Sequence, residues 1–98
     1  MATLYKVDGV LLTKEVEVKP KSGKNFSLVE LQGFVEGYIE LISLKDEQIM
    51  VVNKEGKLQD LPINRAALRI LSQSYPGVKF GNVIIAGNAI ICKSTEIE

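Results

Sequence analysis

Between Tyr38 and Leu44 the side chains alternate. Tyr38, Glu40 and Ile42 fall on one face of an extended chain, and Ile39, Leu41 and Ser43 on the other. Period-two alternation marks a strand, so the pattern predicts one over 38–44. Lys45-Asp46-Glu47 interrupts it with a polar turn, Gln48–Asn53 returns as the partner strand, and Lys54-Glu55-Gly56-Lys57 closes with a glycine-bearing turn. Beyond Gln59 the period becomes that of a helix: Ala67, Ile70, Leu71 and Ser74 form one stripe, with Arg65, Arg69 and Gln73 outside it. Two starts are open. Asp60-Leu61-Pro62 puts a proline in the first turn, where its missing N–H has no partner to lose, whereas Asn64 offers a side-chain cap. Pro76-Gly77 stops the helix.

The first third of the chain repeats this order more weakly. Thr3–Val7, the turn Asp8-Gly9 and Val10–Val18 read as a hairpin, with the even positions from Leu12 onward facing inward. Lys19-Pro20-Lys21-Ser22-Gly23-Lys24 is a wet loop. Ser27-Leu28-Val29-Glu30 is a capping box, in which hydroxyl and carboxylate each accept from the other residue's amide. Leu28, Leu31, Phe34 and Val35 then fall at helical spacing, which predicts a short helix over 27–36 with Gly37 left-handed just past its end. At the other end, Val78–Phe80 and the run NVIIAGNAIIC suggest two short strands around Ala86-Gly87-Asn88. Their apolar positions lie on both faces, as in a central strand or an oligomer interface. Lys93–Glu98 reads as a frayed end.

The sequence therefore predicts a single α+β domain over 1–98, ordered ββα-ββα-ββ, with a mainly antiparallel sheet and two helices on one face. A homo-oligomer is expected, built partly from Asn82–Cys92, where an unpaired edge would be used rather than blunted.

Composition removes some functions. The chain has 98 residues, twelve basic and twelve acidic side chains, and no histidine. Balanced charge disfavours a duplex nucleic-acid binder, which needs a basic stripe against several phosphates. The single cysteine, Cys92, has no partner for an internal disulfide, and without histidine a zinc site is nearly excluded. No metal or other cofactor is implied. Cys92 sits in an apolar run and reads as a buried strand residue. No leader or membrane-spanning run is evident, which points to the cytoplasm, bacterial or host.

Catalytic signatures are also missing: there is no Gly-x-Ser-x-Gly elbow and no Walker loop. Asp46 and Glu47, adjacent in a turn, read as solvated carboxylates. The expectation is a protein that is not an enzyme. Four lysines near Phe26 (Lys14, Lys19, Lys21 and Lys24) only superficially resemble a single-strand binding patch, because Glu15 and Glu17 interrupt them. The stronger candidate is Asn53, Lys57, Asn64 and Arg65, at the end of a hairpin and the start of the next helix. Free amides and a planar guanidinium fork suit a phosphate there, and Tyr38 and Glu40 on the neighbouring strand could read a base or ribose. The plain alternative is a solvated surface, with Glu40 paired to Lys57 or Arg65 and Asn64 serving only as a cap.

The pieces GYIE (37–40), VVNKEGKL (51–58) and LPINRAA (61–67), followed by a G-N-V-I-I run, resemble a family of short proteins of bacteriophages, plasmids and other mobile elements that carry a domain of unknown function. ATLYKVDG and FSLVELQGFVEG fit the same family, so the resemblance spans nearly the whole chain. Gly87-Asn88 departs from it. The resemblance implies a small α+β domain of mobile-element origin and no established activity. By context it suggests a protein acting against host defence, either by sequestering a small nucleotide signal or by blocking a host protein.

Overall fold

The computed structural model describes residues 2–8, 12–77 and 84–97. Two hairpins and one last strand make a five-stranded antiparallel sheet. Strands β1 (Ala2–Asp8) and β2 (Leu12–Val18) form the first hairpin, and β3 (Ile39–Ser43) and β4 (Gln48–Asn53) the second. Strand β5 (Ala89–Lys93) lies between them, in the order β2-β1-β5-β4-β3. Helices α1 (Leu28–Val35) and α2 (Arg65–Ser74) each follow a hairpin. The α+β class and the ββα-ββα order agree with the pattern. The first tail strand and part of the Asp8-Gly9 turn fall on 78–83 and 9–11, outside the described residues. From Ile84 to Asn88 there is no strand, only a bridge between Ala86 and Ile63.

The helices do not share a face. Val51 pairs with Ile90 on one side of the sheet, where Leu31 and Val35 of α1 cover them with Leu4 and Cys92. Met50 pairs with Ile91 on the other side, under Ala67 and Leu71 of α2. The expectation of both helices on one face is corrected, and the reason lies in β4 and β5. Ile49-Met50-Val51-Val52 and Ala89-Ile90-Ile91-Cys92 are apolar at every position. One helical layer would leave half of these side chains in water, at about 1.5–3 kcal/mol for each large one. The two-sided run in β5 thus belongs to a central strand hydrogen-bonded on both sides. It offers no free edge of its own.

Local signals act as their chemistry requires. Ser27 caps α1: its hydroxyl accepts from the Glu30 amide at 3.2 Å, and the Glu30 carboxylate accepts from the Ser27 amide at 3.1 Å. That carboxylate also accepts from the Lys21 amide at 2.9 Å, tying the lysine loop to the helix start. The Lys21 amide, then the Ser27 amide, hold the Glu30 carboxyl below its usual range. The left-handed residue after α1 is Glu36 (φ 62°), not Gly37. Gly37 is needed for close approach instead, since a Cβ there would stand 2.7 Å from Asn53 Nδ2.

Residues 93–97 are packed rather than frayed, and Glu98 lies outside the described residues. Ser94–Glu96 forms a 3-10 turn, the Phe26 amide donates to the Glu96 carbonyl at 2.6 Å, and Ile97 packs on the core. Phe26 itself is fully buried, edge-on to Phe34 with ring centroids 6.0 Å apart. It is therefore withdrawn from any role as a stacking platform for a base.

Candidate functional site

The starts of β2, β3 and β5, the ends of β1 and β4, the end of α1 and the start of α2 meet at one end of the sheet. Three buried asparagines fasten them. Asn64 is the N-cap of α2, with Oδ1 accepting from the Ala67 amide at 3.0 Å. Its Nδ2 donates to the carbonyls of Tyr5 and Gly87, both at 2.9 Å. Asn53 Nδ2 donates to the Val35 carbonyl at 3.0 Å, and its Oδ1 accepts from the Glu55 amide at 2.8 Å. Asn88 joins β1 to α1, accepting from the Val7 amide at 2.9 Å and donating to the Phe34 carbonyl at 3.0 Å. Buried amides need such partners, and these have them. The helix start is decided in favour of Asn64, and Pro62 lies outside α2.

Two of the six residues singled out by sequence are therefore occupied. Asn53 and Asn64 hold loops and helix ends, and Asn64 has no exposed surface to offer a ligand. The other four are exposed and are not gathered into one site. Tyr38 lines a cleft of about 270 Å³ with Gln32, Gly37, Glu55 and Gln59. Asn53 Nδ2 reaches Gln59 Oε1 beside it, at 3.4 Å. Arg65 lines a larger, open groove of about 610 Å³ between β2 and α2, with Arg69, Ala66, Thr13, Lys14 and Glu15. Glu40 and Lys57 line neither of these two clefts.

The groove at Arg65 has the more definite electrostatics. Arg65 and Arg69 are one helical turn apart and so share a side of α2. Across from them stand Thr13 and the one carboxylate, Glu15, whereas strand alternation turns the side chain of Lys14, between them, to the α1 face. Burial, and then the charge of Glu15, raise the phenol of Tyr5 on the neighbouring strand. Two guanidiniums with ten donors between them favour an anion that can accept several hydrogen bonds. The volume lies within the range of small-molecule sites. Sequence reading found Arg65 but not Lys14 or Thr13 as its neighbours, because more than fifty positions separate them. The i, i+4 spacing of Arg65 and Arg69 was the available signal.

Cys92 is buried on the α1 side, and burial, followed by the charge of Glu96, pushes its thiol up to about 11. Among the described residues no group of three or more His, Cys, Asp or Glu side chains is placed to hold a metal ion, and no helix is long and apolar enough to cross a membrane.

A model of one protein family matches residues 5–98, nearly the whole chain, and its description is a domain of unknown function, DUF3846. The chain belongs to the DUF3846 family. No curated protein and no solved structure matches it. Membership agrees with the domain-of-unknown-function resemblance carried by the GYIE, VVNKEGKL and LPINRAA pieces. The matched span takes in β1 from Tyr5 onward, β2 to β5, both helices and the Arg65 groove.

Proposed function

We propose that this DUF3846 protein is a non-catalytic binder of a small phosphate-bearing ligand, held in the groove between β2 and α2. The observation that carries the reading is the pair Arg65 and Arg69 on one side of α2, facing Thr13 across that groove. Arg65 and Arg69 grip phosphoryl oxygens, and Thr13 supplies a hydroxyl. The mobile-element resemblance gives the setting: a nucleotide-type signal removed from solution in the cytoplasm to counter host defence. Thermal-shift screening against nucleotide second messengers and ADP-ribose-type compounds identifies the ligand, and titration of variants then tests the site. Arg65→Ala should lower affinity about ten- to a hundred-fold, from loss of a charge-assisted contact of roughly 1.5–3 kcal/mol. Arg65→Lys should recover only part, because it keeps the charge and loses the fork. The ligand-free melting temperature should hardly change. Binding by Arg65→Ala as tight as by the wild type removes the groove from consideration.

A second reading, a module that docks on a host protein, is favoured by the β3 edge. Tyr38 accepts from the Lys54 amide and Leu44 donates to the Gln48 carbonyl, each at 2.8 Å, so the even residues of β3 face β4. Antiparallel alternation then turns the main-chain groups of Ile39 and Leu41 outward. An extended segment of another protein could add to that edge.

A further inference from the structure

Gly33 stands in the middle of α1, where the fold gives no reason for it. Its φ is not left-handed, and a Cβ built on it would meet nothing within 4 Å. Alanine would fit there, and glycine inside a helix is the less stable choice. The surface around it is equally unexplained by the fold. Val29, one turn earlier on the same side, is 77% exposed, and Leu28 beside it is 54% exposed. Val29, Gly33 and Phe34 floor a groove of about 400 Å³ walled by Lys19, Lys21 and Glu30. The Glu30 carboxylate is turned to the amides of Ser27 and Lys21, so Lys19 and Lys21 set the charge of the rim. Just past the end of α1, seven positions after Val29, stands the exposed Glu36, whose carboxylate accepts from Asn88 Nδ2 at 3.3 Å.

We propose that α1 is a self-association face on which a second copy of the chain docks with its own α1 antiparallel. The charge pattern selects this occupant. In an antiparallel pair centred on Gly33, the lysine rim of each copy faces Glu36 and the negative end of the helix dipole in the other. Two bare Gly33 positions let the helix backbones approach, and Val29 of each copy covers apolar surface of its mate. The contact is isologous, so it closes as a two-fold dimer and does not propagate. An eight-residue helix buries little area, which makes the dimer weak, with a dissociation constant on the order of tens to hundreds of micromolar. The proposal is independent of the Arg65 groove, which opens on the opposite face of the sheet.

Sedimentation equilibrium across roughly 5–500 µM, read with circular dichroism and melting of each variant, tests it. Wild type should move from monomer to dimer across that range. Val29→Glu should stay monomeric and folded. Gly33→Ala should separate the two effects of glycine: at dilute concentration it melts about 2–8 °C higher, while its association weakens about ten-fold or more. Lys19→Glu with Lys21→Glu should also stay monomeric, and adding Glu36→Lys to that pair should bring the dimer back. A wild type that remains monomeric throughout overturns the proposal. So does a dimer that Val29→Glu and Gly33→Ala leave unchanged, since it must use another surface such as the β3 edge.

Discussion

Asn64 shows how much one side chain can hold. All its hydrogen-bonding capacity is turned inward, to the start of α2 and to carbonyls of β1 and of the segment before β5. The cap alone would be worth about 1 kcal/mol. The two carbonyl contacts raise the stake, because a buried group left without its partner costs about 1–3 kcal/mol. Asn64→Asp separates these roles. It keeps the oxygen that caps α2 but replaces the donating Nδ2 with an acceptor aimed at two carbonyl oxygens. We therefore expect Asn64→Asp to lose at least about 2 kcal/mol at neutral pH, more than cap removal explains. A urea midpoint close to that of the wild type, with an unchanged slope, would show that the carbonyl contacts are dispensable. Sequence reading could name Asn64 as a cap because the Ala67 amide is local. Its other partners, Tyr5 and Gly87, lie 59 and 23 positions away, and nothing near Asn64 announces them. The same distance hid the roles of Asn53 and Asn88.

At the scale of elements, what was legible was whatever closes within a few residues. The Ser27–Glu30 capping box and the β3–β4 hairpin stand where the pattern puts them, with shifts of a residue at some ends. The face that each helix covers was not legible, because it depends on which strand comes to lie between the hairpins. One element is also built against its own preference. In the β3–β4 turn Asp46 and Glu47 both take positive φ, 60° and 59°, a combination that favours Asn-Gly. Aspartate tolerates this region, whereas glutamate at that angle crowds its Cβ against the following carbonyl. Glu47→Gly should therefore stabilise the protein by about 0.5–1 kcal/mol, after the extra chain freedom glycine brings to the unfolded state. The main-chain contact from Ser94 to the Glu47 carbonyl does not depend on the side chain and should survive. A higher urea midpoint with an unchanged slope is the expected reading, and a lower one would mean the Glu47 side chain does something the turn geometry does not show.

For the whole molecule, β5 is the piece on which both halves depend. Each ββα unit has a hairpin and a helix of its own, but neither hairpin pairs with the other; both pair with β5. Leu4 and Val51 flank Ile90 across the sheet, and its side chain is wholly buried under α1. Truncating it removes contacts to both hairpins and a helix at once, in a place where rigid strands on either side cannot collapse inward. Ile90→Ala should cost about 2–5 kcal/mol, a large part of the 5–15 kcal/mol that holds a domain of this kind together. Leu41→Ala is the control: it shortens a side chain of similar size on the same face, but on an edge strand where it is half exposed. Its cost should stay well below that of Ile90→Ala, near or under about 1 kcal/mol. If the two hairpins were independently stable and β5 merely filled the gap, Ile90→Ala would melt in two steps, with one hairpin unit surviving the other. If β5 is the shared strand of a single cooperative sheet, the melting temperature falls while one transition remains, identical by far-UV circular dichroism and by tyrosine fluorescence. The continuous hydrogen-bonded order β2-β1-β5-β4-β3 argues for the single transition.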